Sequence, residues 1–157
     1  AEIVADINAT VDWLRGHPVI AGDRIGVTGF CMGGRVAWLA AASNPHFKAV
    51  VPYYPGNLWV ARDAVQSPFE LTANINCPML TQFGEVDENP SQEDMRKLDD
   101  ELTRLGKPHQ FYTYPTAGHA FMDFGQPNRY QKEASDASWP RTLEFFAQHL
   151  QGAAVSG

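Results

Sequence analysis

Cys31, Asp87 and His119 are the three side chains of this 157-residue sequence whose types and order suit covalent catalysis. Cys31 stands in Gly29-Phe30-Cys31-Met32-Gly33-Gly34-Arg35, between a short apolar run and a small-residue run. A thiol at such a strand-to-helix turn sits at a helix N-terminus, where peptide dipoles favour the thiolate. Glycines at 29 and 33 let the backbone turn sharply around it. The Met32 N–H is then placed for a developing oxyanion, and its thioether is expected to pack near the pocket.

A cysteine nucleophile needs a base, and the base needs an orienting group. His119, in Thr116-Ala117-Gly118-His119-Ala120-Phe121, is the candidate base; Asp87, in Gly84-Glu85-Val86-Asp87-Glu88-Asn89-Pro90, is the candidate acid, with Glu85 as its alternative. Cys31 and Asp87 are 56 residues apart and Asp87 and His119 are 32 apart, which leaves room for a helix in each interval. His17, His46, His109 and His149 suit solvated or dipole-related positions better. Five histidines and two cysteines show no compact metal-ligand spacing, so no metal is expected. The glycines match neither phosphate-binding fingerprint, and no cofactor is expected. Arg35 reads as a helix-surface cation or an anion contact. Cys77 heads an apolar segment and reads as buried; a disulfide to Cys31 would remove the nucleophile.

The elements that must carry these residues follow from periodicity. Residues 3–15 place Ile3, Ile7, Val11 and Leu14 on one helical face. A strand is expected over 24–28, a helix over 34–42, a strand over 48–54, and a loop with a short helix over 57–71. Another strand over 78–83 leads into the acidic loop 84–90. The segment 91–105 is helical, with Met95, Leu98, Leu102 and Leu105 inward and Gly106 as its stop. A strand over 109–114, a long loop over 115–128 and a helix over 139–150 complete the series. Short strands alternating with helices predict an α/β fold with a mostly parallel sheet covered on both faces. Residues 151–157 read as a flexible tail.

Composition narrows the partners. The formal charge is -6, from 12 Lys plus Arg against 18 Asp plus Glu, without a basic cluster. That balance disfavours a nucleic acid. No apolar run approaches the roughly 18 residues of a membrane span, and two cysteines make no disulfide framework. A reducing, cytoplasmic setting is the expectation.

The segments RIGVTGFCMGGRVAWLAAA, AVVPYYPG, CPMLTQFGEVDENP and KPHQFYTYPTAGHAF, followed by the closing helix, resemble the dienelactone hydrolase family of the α/β-hydrolase fold. The resemblance covers the chain as the C-terminal two-thirds of one such domain. It implies a nucleophile at Cys31, an acid at Asp87, a base at His119 and one oxyanion amide at Met32. It also implies N-terminal strands that supply a second oxyanion amide and an acidic residue acting on the cysteine. The 24–28 strand would then lie at a sheet edge, covered by that N-terminal segment or by another chain.

Family members that cleave dienelactones hold a substrate carboxylate with an arginine shortly after the histidine. Asp123 stands where that arginine is sought, with Arg129 as the nearby alternative. Tyr53, Tyr54, Trp59, Phe121, Met122 and Phe124 read either as pocket lining or as packing. The expected activity is cysteine-dependent hydrolysis of a small ester or lactone. A noncatalytic binding or structural protein and a thiol-dependent acyltransferase are the alternatives.

Overall fold

Parallel strands need a crossover between successive members, and the interleaved helical runs supply one each time. The computed structural model describes residues 2–62 and 66–151. Helix α1 spans Glu2–Gly16, strand β1 Ile25–Phe30, helix α2 Met32–Ser43 and strand β2 Phe47–Tyr53. After a short 3-10 turn at Thr72–Asn74 come β3 at Met79–Gly84, α3 at Gln92–Arg104, β4 at His109–Tyr114 and α4 at Lys132–Leu150. Apart from Gln151, the tail expected at 151–157 lies outside the described residues.

The strands lie in the order β1-β2-β3-β4, and each neighbouring pair is parallel. Every residue of β3 and all but Lys48 of β2 are buried. Alternate residues of a strand point to opposite faces, so both faces of the central sheet are covered. β1 pairs with β2 and with no other strand among the described residues, the edge position expected of it. Ala37, Ala40 and Ala41 are buried and keep α2 slim enough to lie close against β1 and β2, beside the fully buried Trp38.

Helix ends follow local chemistry. Ser91 and Asp94 form a reciprocal capping box at the start of α3, and Gly106 takes a φ of 65° just past its end. Met95, Leu98 and Leu102 of α3 are buried as the periodicity required, whereas Ile3 of α1 stays 40% exposed.

α4 departs most from the expectation, beginning at Lys132 rather than near 139. Pro140 marks a first turn by its preference, and here it sits mid-helix.

A buried polar network fixes α4 to the sheet. Gln82 of β3 places Nε2, with its two protons, within hydrogen-bonding distance of Tyr53 Oη (3.0 Å), Thr142 Oγ1 (2.7 Å) and the Ser138 carbonyl (3.0 Å). Its Oε1 accepts from Tyr114 Oη, which in turn accepts from Arg141 at 2.9 Å. Gln82→Leu removes the common partner of two buried tyrosine hydroxyls. It should cost about 2–4 kcal/mol of stability, read as a lower urea midpoint at unchanged slope.

Candidate active site

Parallel strands deliver their C-terminal ends to one edge of a sheet, and the loops there collect the reactive groups. Cys31 follows β1, Asp87 lies in the loop after β3, and His119 lies in the loop after β4. Cys31 itself has φ 56° and ψ -118°, so the sharp turn falls on the cysteine. A Cβ at Gly29 would lie 2.0 Å from the Gly33 carbonyl oxygen, whereas one at Gly33 would meet nothing within 4 Å. Gly29 is therefore the sterically required glycine, and Gly33 contributes the backbone that closes on it.

The loops carrying Asp87 and His119 are stitched together. Tyr114 O accepts from Glu85 N at 2.9 Å, and Ala117 O accepts from Val86 N at 3.0 Å. A Cβ at Gly84 would lie 2.1 Å from Ala117 O, so this approach depends on a glycine. His119 Nδ1 lies 2.9 Å from Asp87 Oδ2. A carboxylate only accepts, so Nδ1 carries the proton and Nε2 is left as the basic nitrogen. The Asp87 side chain is 1% exposed, and its Oδ1 accepts from Asn89 N at 2.8 Å. Glu85, the alternative acid, instead accepts from the Thr116 amide at 3.0 Å.

Cys31 is half-buried, and among the described residues no hydrogen bond joins its sulfur to His119. Both cysteines are free thiols. Burial pushes the Cys31 thiol above its ordinary range; Arg129 opposes this, while Asp87 and Asp123 reinforce it. Desolvation and the two carboxylates thus act against the thiolate that the helix N-terminus favours. Iodoacetamide labelling of Cys31 should accelerate through a midpoint above the ordinary thiol value of about 8.5. Arg129→Gln should raise that midpoint and Asp123→Asn should lower it. A midpoint below the ordinary value would mean that the helix terminus prevails.

Met32 opens α2, where its N–H has no intrahelical acceptor. Its side chain is 69% exposed and lines a small separate cleft with Arg35, contrary to the expected packing near Cys31. Arg35 is buried, and its guanidinium donates to the carbonyls of Asn57 and Val60, pinning the loop after β2.

The seven residues read as substrate contacts separate sharply. Met122 and Phe124 line the cavity that opens on Cys31. Arg129 is exposed and acts on the sulfur through its field. Tyr53 and Phe121 are fully buried, and Trp59 stacks on Phe69 with ring centroids 5.2 Å apart. Tyr54 is also buried, with its ring edge-on to the His119 imidazole at 5.1 Å. Those four have packing positions, Tyr54 as a support for the imidazole. Sequence reasoning missed the α4 wall, made of Ser135, Asp136, Trp139 and Pro140, together with Phe30 at the end of β1. A helix started at Lys132 would have placed Ser135, Asp136 and Trp139 on one face.

Among the described residues, no group of three or more His, Cys, Asp or Glu side chains is placed to hold a metal ion, and no helix is long and apolar enough to cross a membrane.

A carboxymethylenebutenolidase of Rhodococcus opacus is 33% identical over 149 residues, covering 94% of this chain and 57% of that protein. A Methylorubrum extorquens protein provisionally given the same name is 33% identical over 151 residues, 95% of this chain and 51% of the relative. The chain thus spans a little over half the length of these relatives. The crystal structure of a Klebsiella pneumoniae protein, provisionally described as a dienelactone hydrolase, superposes with a TM-score of 0.82 at 31% identity, covering 93% of this chain and 60% of that one. The sequence pattern of the dienelactone hydrolase family matches residues 1–150, and with the parallel sheet and the loop placement just described, the chain belongs to that family.

Proposed function

We propose that the full-length protein hydrolyses small esters or lactones through an acyl-enzyme on Cys31, with this chain as the C-terminal portion of one α/β-hydrolase domain. The observation that carries the reading is the 2.9 Å Asp87–His119 pair at the sheet edge that also presents Cys31 on a positive-φ turn. The name of the Rhodococcus relative, a carboxymethylenebutenolidase, supports the lactone-hydrolysis part of this reading.

His119 Nε2 takes the thiol proton as sulfur attacks the carbonyl carbon. The carbonyl electron pair moves to oxygen, where the Met32 N–H is one donor. Collapse expels the alkoxide, which takes the proton from the imidazolium. Water, deprotonated by His119, then attacks the thioester; the acid product leaves and the thiol is restored. Asp87 keeps the proton on Nδ1 throughout.

Turnover of short aryl and alkyl esters and simple lactones by the full-length protein, beside Cys31→Ala, tests this reading. Loss of turnover, with a thioester adduct trapped on wild-type Cys31, is expected. Undiminished turnover in Cys31→Ala would overturn it.

A further inference from the structure

Beside Cys31 lies a cavity of about 770 Å³, within the roughly 300–1,000 Å³ range of small-molecule sites. Its walls are mainly apolar: Met122 and Phe124 from the loop after His119, Trp139 and Pro140 from α4, and Phe30 from β1. Phe124 is 85% exposed and Trp139 is also exposed, so two large aromatic side chains face solvent beside the nucleophile. An exposed aromatic pair rimming an apolar recess gains by covering itself with an apolar ligand group.

The charged groups in that wall are both carboxylates, Asp123 and Asp136. Lys132 is ion-paired with Asp136 one turn along α4 and meets its charge. Asp123 accepts from the Gly125 amide at 3.1 Å and has no ion-pair partner among the described residues. Arg129 does not line the cavity, although its field reaches the sulfur. Among the described residues, the recess therefore offers apolar contact and one carboxylate without an ion-pair partner.

We infer that this cavity selects an uncharged, apolar substrate group and rejects a carboxylate, with Asp123 as the excluding charge and Trp139 as the principal apolar wall. A substrate carboxylate seated there would lie within several ångströms of Asp123 in a partly water-filled site, a repulsion worth about tenfold. This inference deepens the ester-hydrolase reading, which supplies the reaction; the selection itself is a property of the cavity and can be measured without turnover.

The test uses the full-length protein and three iodoacetamides of equal length, whose tails end in a methyl group, a carboxylate or an ammonium. Alkylation of Cys31 is followed by peptide mapping, and each rate is divided by that of the same probe with N-acetylcysteine. The methyl-ended probe should outpace the carboxylate by about tenfold, the ammonium should fall much closer to the methyl, and Asp123→Asn should shrink the methyl-to-carboxylate ratio several-fold. Trp139→Ala should slow the methyl-ended probe relative to the other two. Equal or faster reaction of the carboxylate, above all if Arg129→Gln abolishes that advantage, would overturn the inference. So would a ratio indifferent to Asp123→Asn. Charge selection at Cys31 without any Cys31-dependent ester turnover would defeat the hydrolase reading alone; ester turnover without charge selection would defeat this inference alone.

Discussion

His119→Ala should lower kcat/KM for alkyl esters by about 10⁴-fold, and for activated aryl esters by about 10²–10³-fold. The difference arises from the two proton transfers assigned to one nitrogen. At neutral pH a thiol with an ordinary or raised pKa is thiolate to only a few per cent or less, so losing the base slows attack on both substrates. An alkoxide also needs a proton to depart, whereas an activated phenolate leaves without one, so only the alkyl ester suffers the second loss. The residual rate of the variant should climb with pH as Cys31 ionises, toward a midpoint above the ordinary thiol range. Steady-state kinetics on a matched alkyl and aryl pair checks both statements. Equal losses for the two esters would mean that His119 does not protonate the leaving group.

The placement of these residues was legible in the sequence because it depends on where strands end. The β1, β3 and β4 runs are bounded by turn residues, and each boundary falls within two residues of its observed place. Parallel order then brings 31, 87 and 119 to one edge. The family resemblance favours Asp87 over Glu85, although both lie in the same turn. The coordinates separate them by partner: an imidazole for one, a backbone amide for the other.

Less was legible about the cavity. Its α4 wall stayed hidden because Pro140, a residue of helix starts, is tolerated here in a helix interior. The aromatic cluster gave no sign of which members face solvent. Tyr53, Tyr54, Tyr114 and Phe121 pack on one another, while Phe124 is left out. The resting state of Cys31 depends on burial and on charges at 87, 123 and 129, groups brought near it only by folding.

Asp87→Asn should move two readouts of the same site in opposite directions. The carboxylate accepts the Nδ1 proton of His119 through Oδ2 and the Asn89 amide proton through Oδ1. An asparagine has one acceptor oxygen for these two donors. If its oxygen faces Asn89, its NH₂ group meets Nδ1 and drives the proton to Nε2, which removes the base. If its oxygen faces His119, two N–H groups oppose each other in a buried turn. The first arrangement is favoured, since rotating an imidazole tautomer costs less than leaving two donors in conflict. Turnover should therefore fall by about 10³–10⁴-fold, chiefly in kcat. Glu85→Gln, which disturbs only a bond to the Thr116 amide, should stay within about threefold of wild type. Yet Asp87 also holds the Cys31 thiol up, so neutralising it should lower that pKa and hasten iodoacetamide labelling at fixed pH. A damaged fold would slow turnover with no regular effect on the labelling midpoint. Faster labelling with slower turnover is specific to a carboxylate that both orients the imidazole and burdens the thiol. Parallel losses in the two would remove Asp87 from that role.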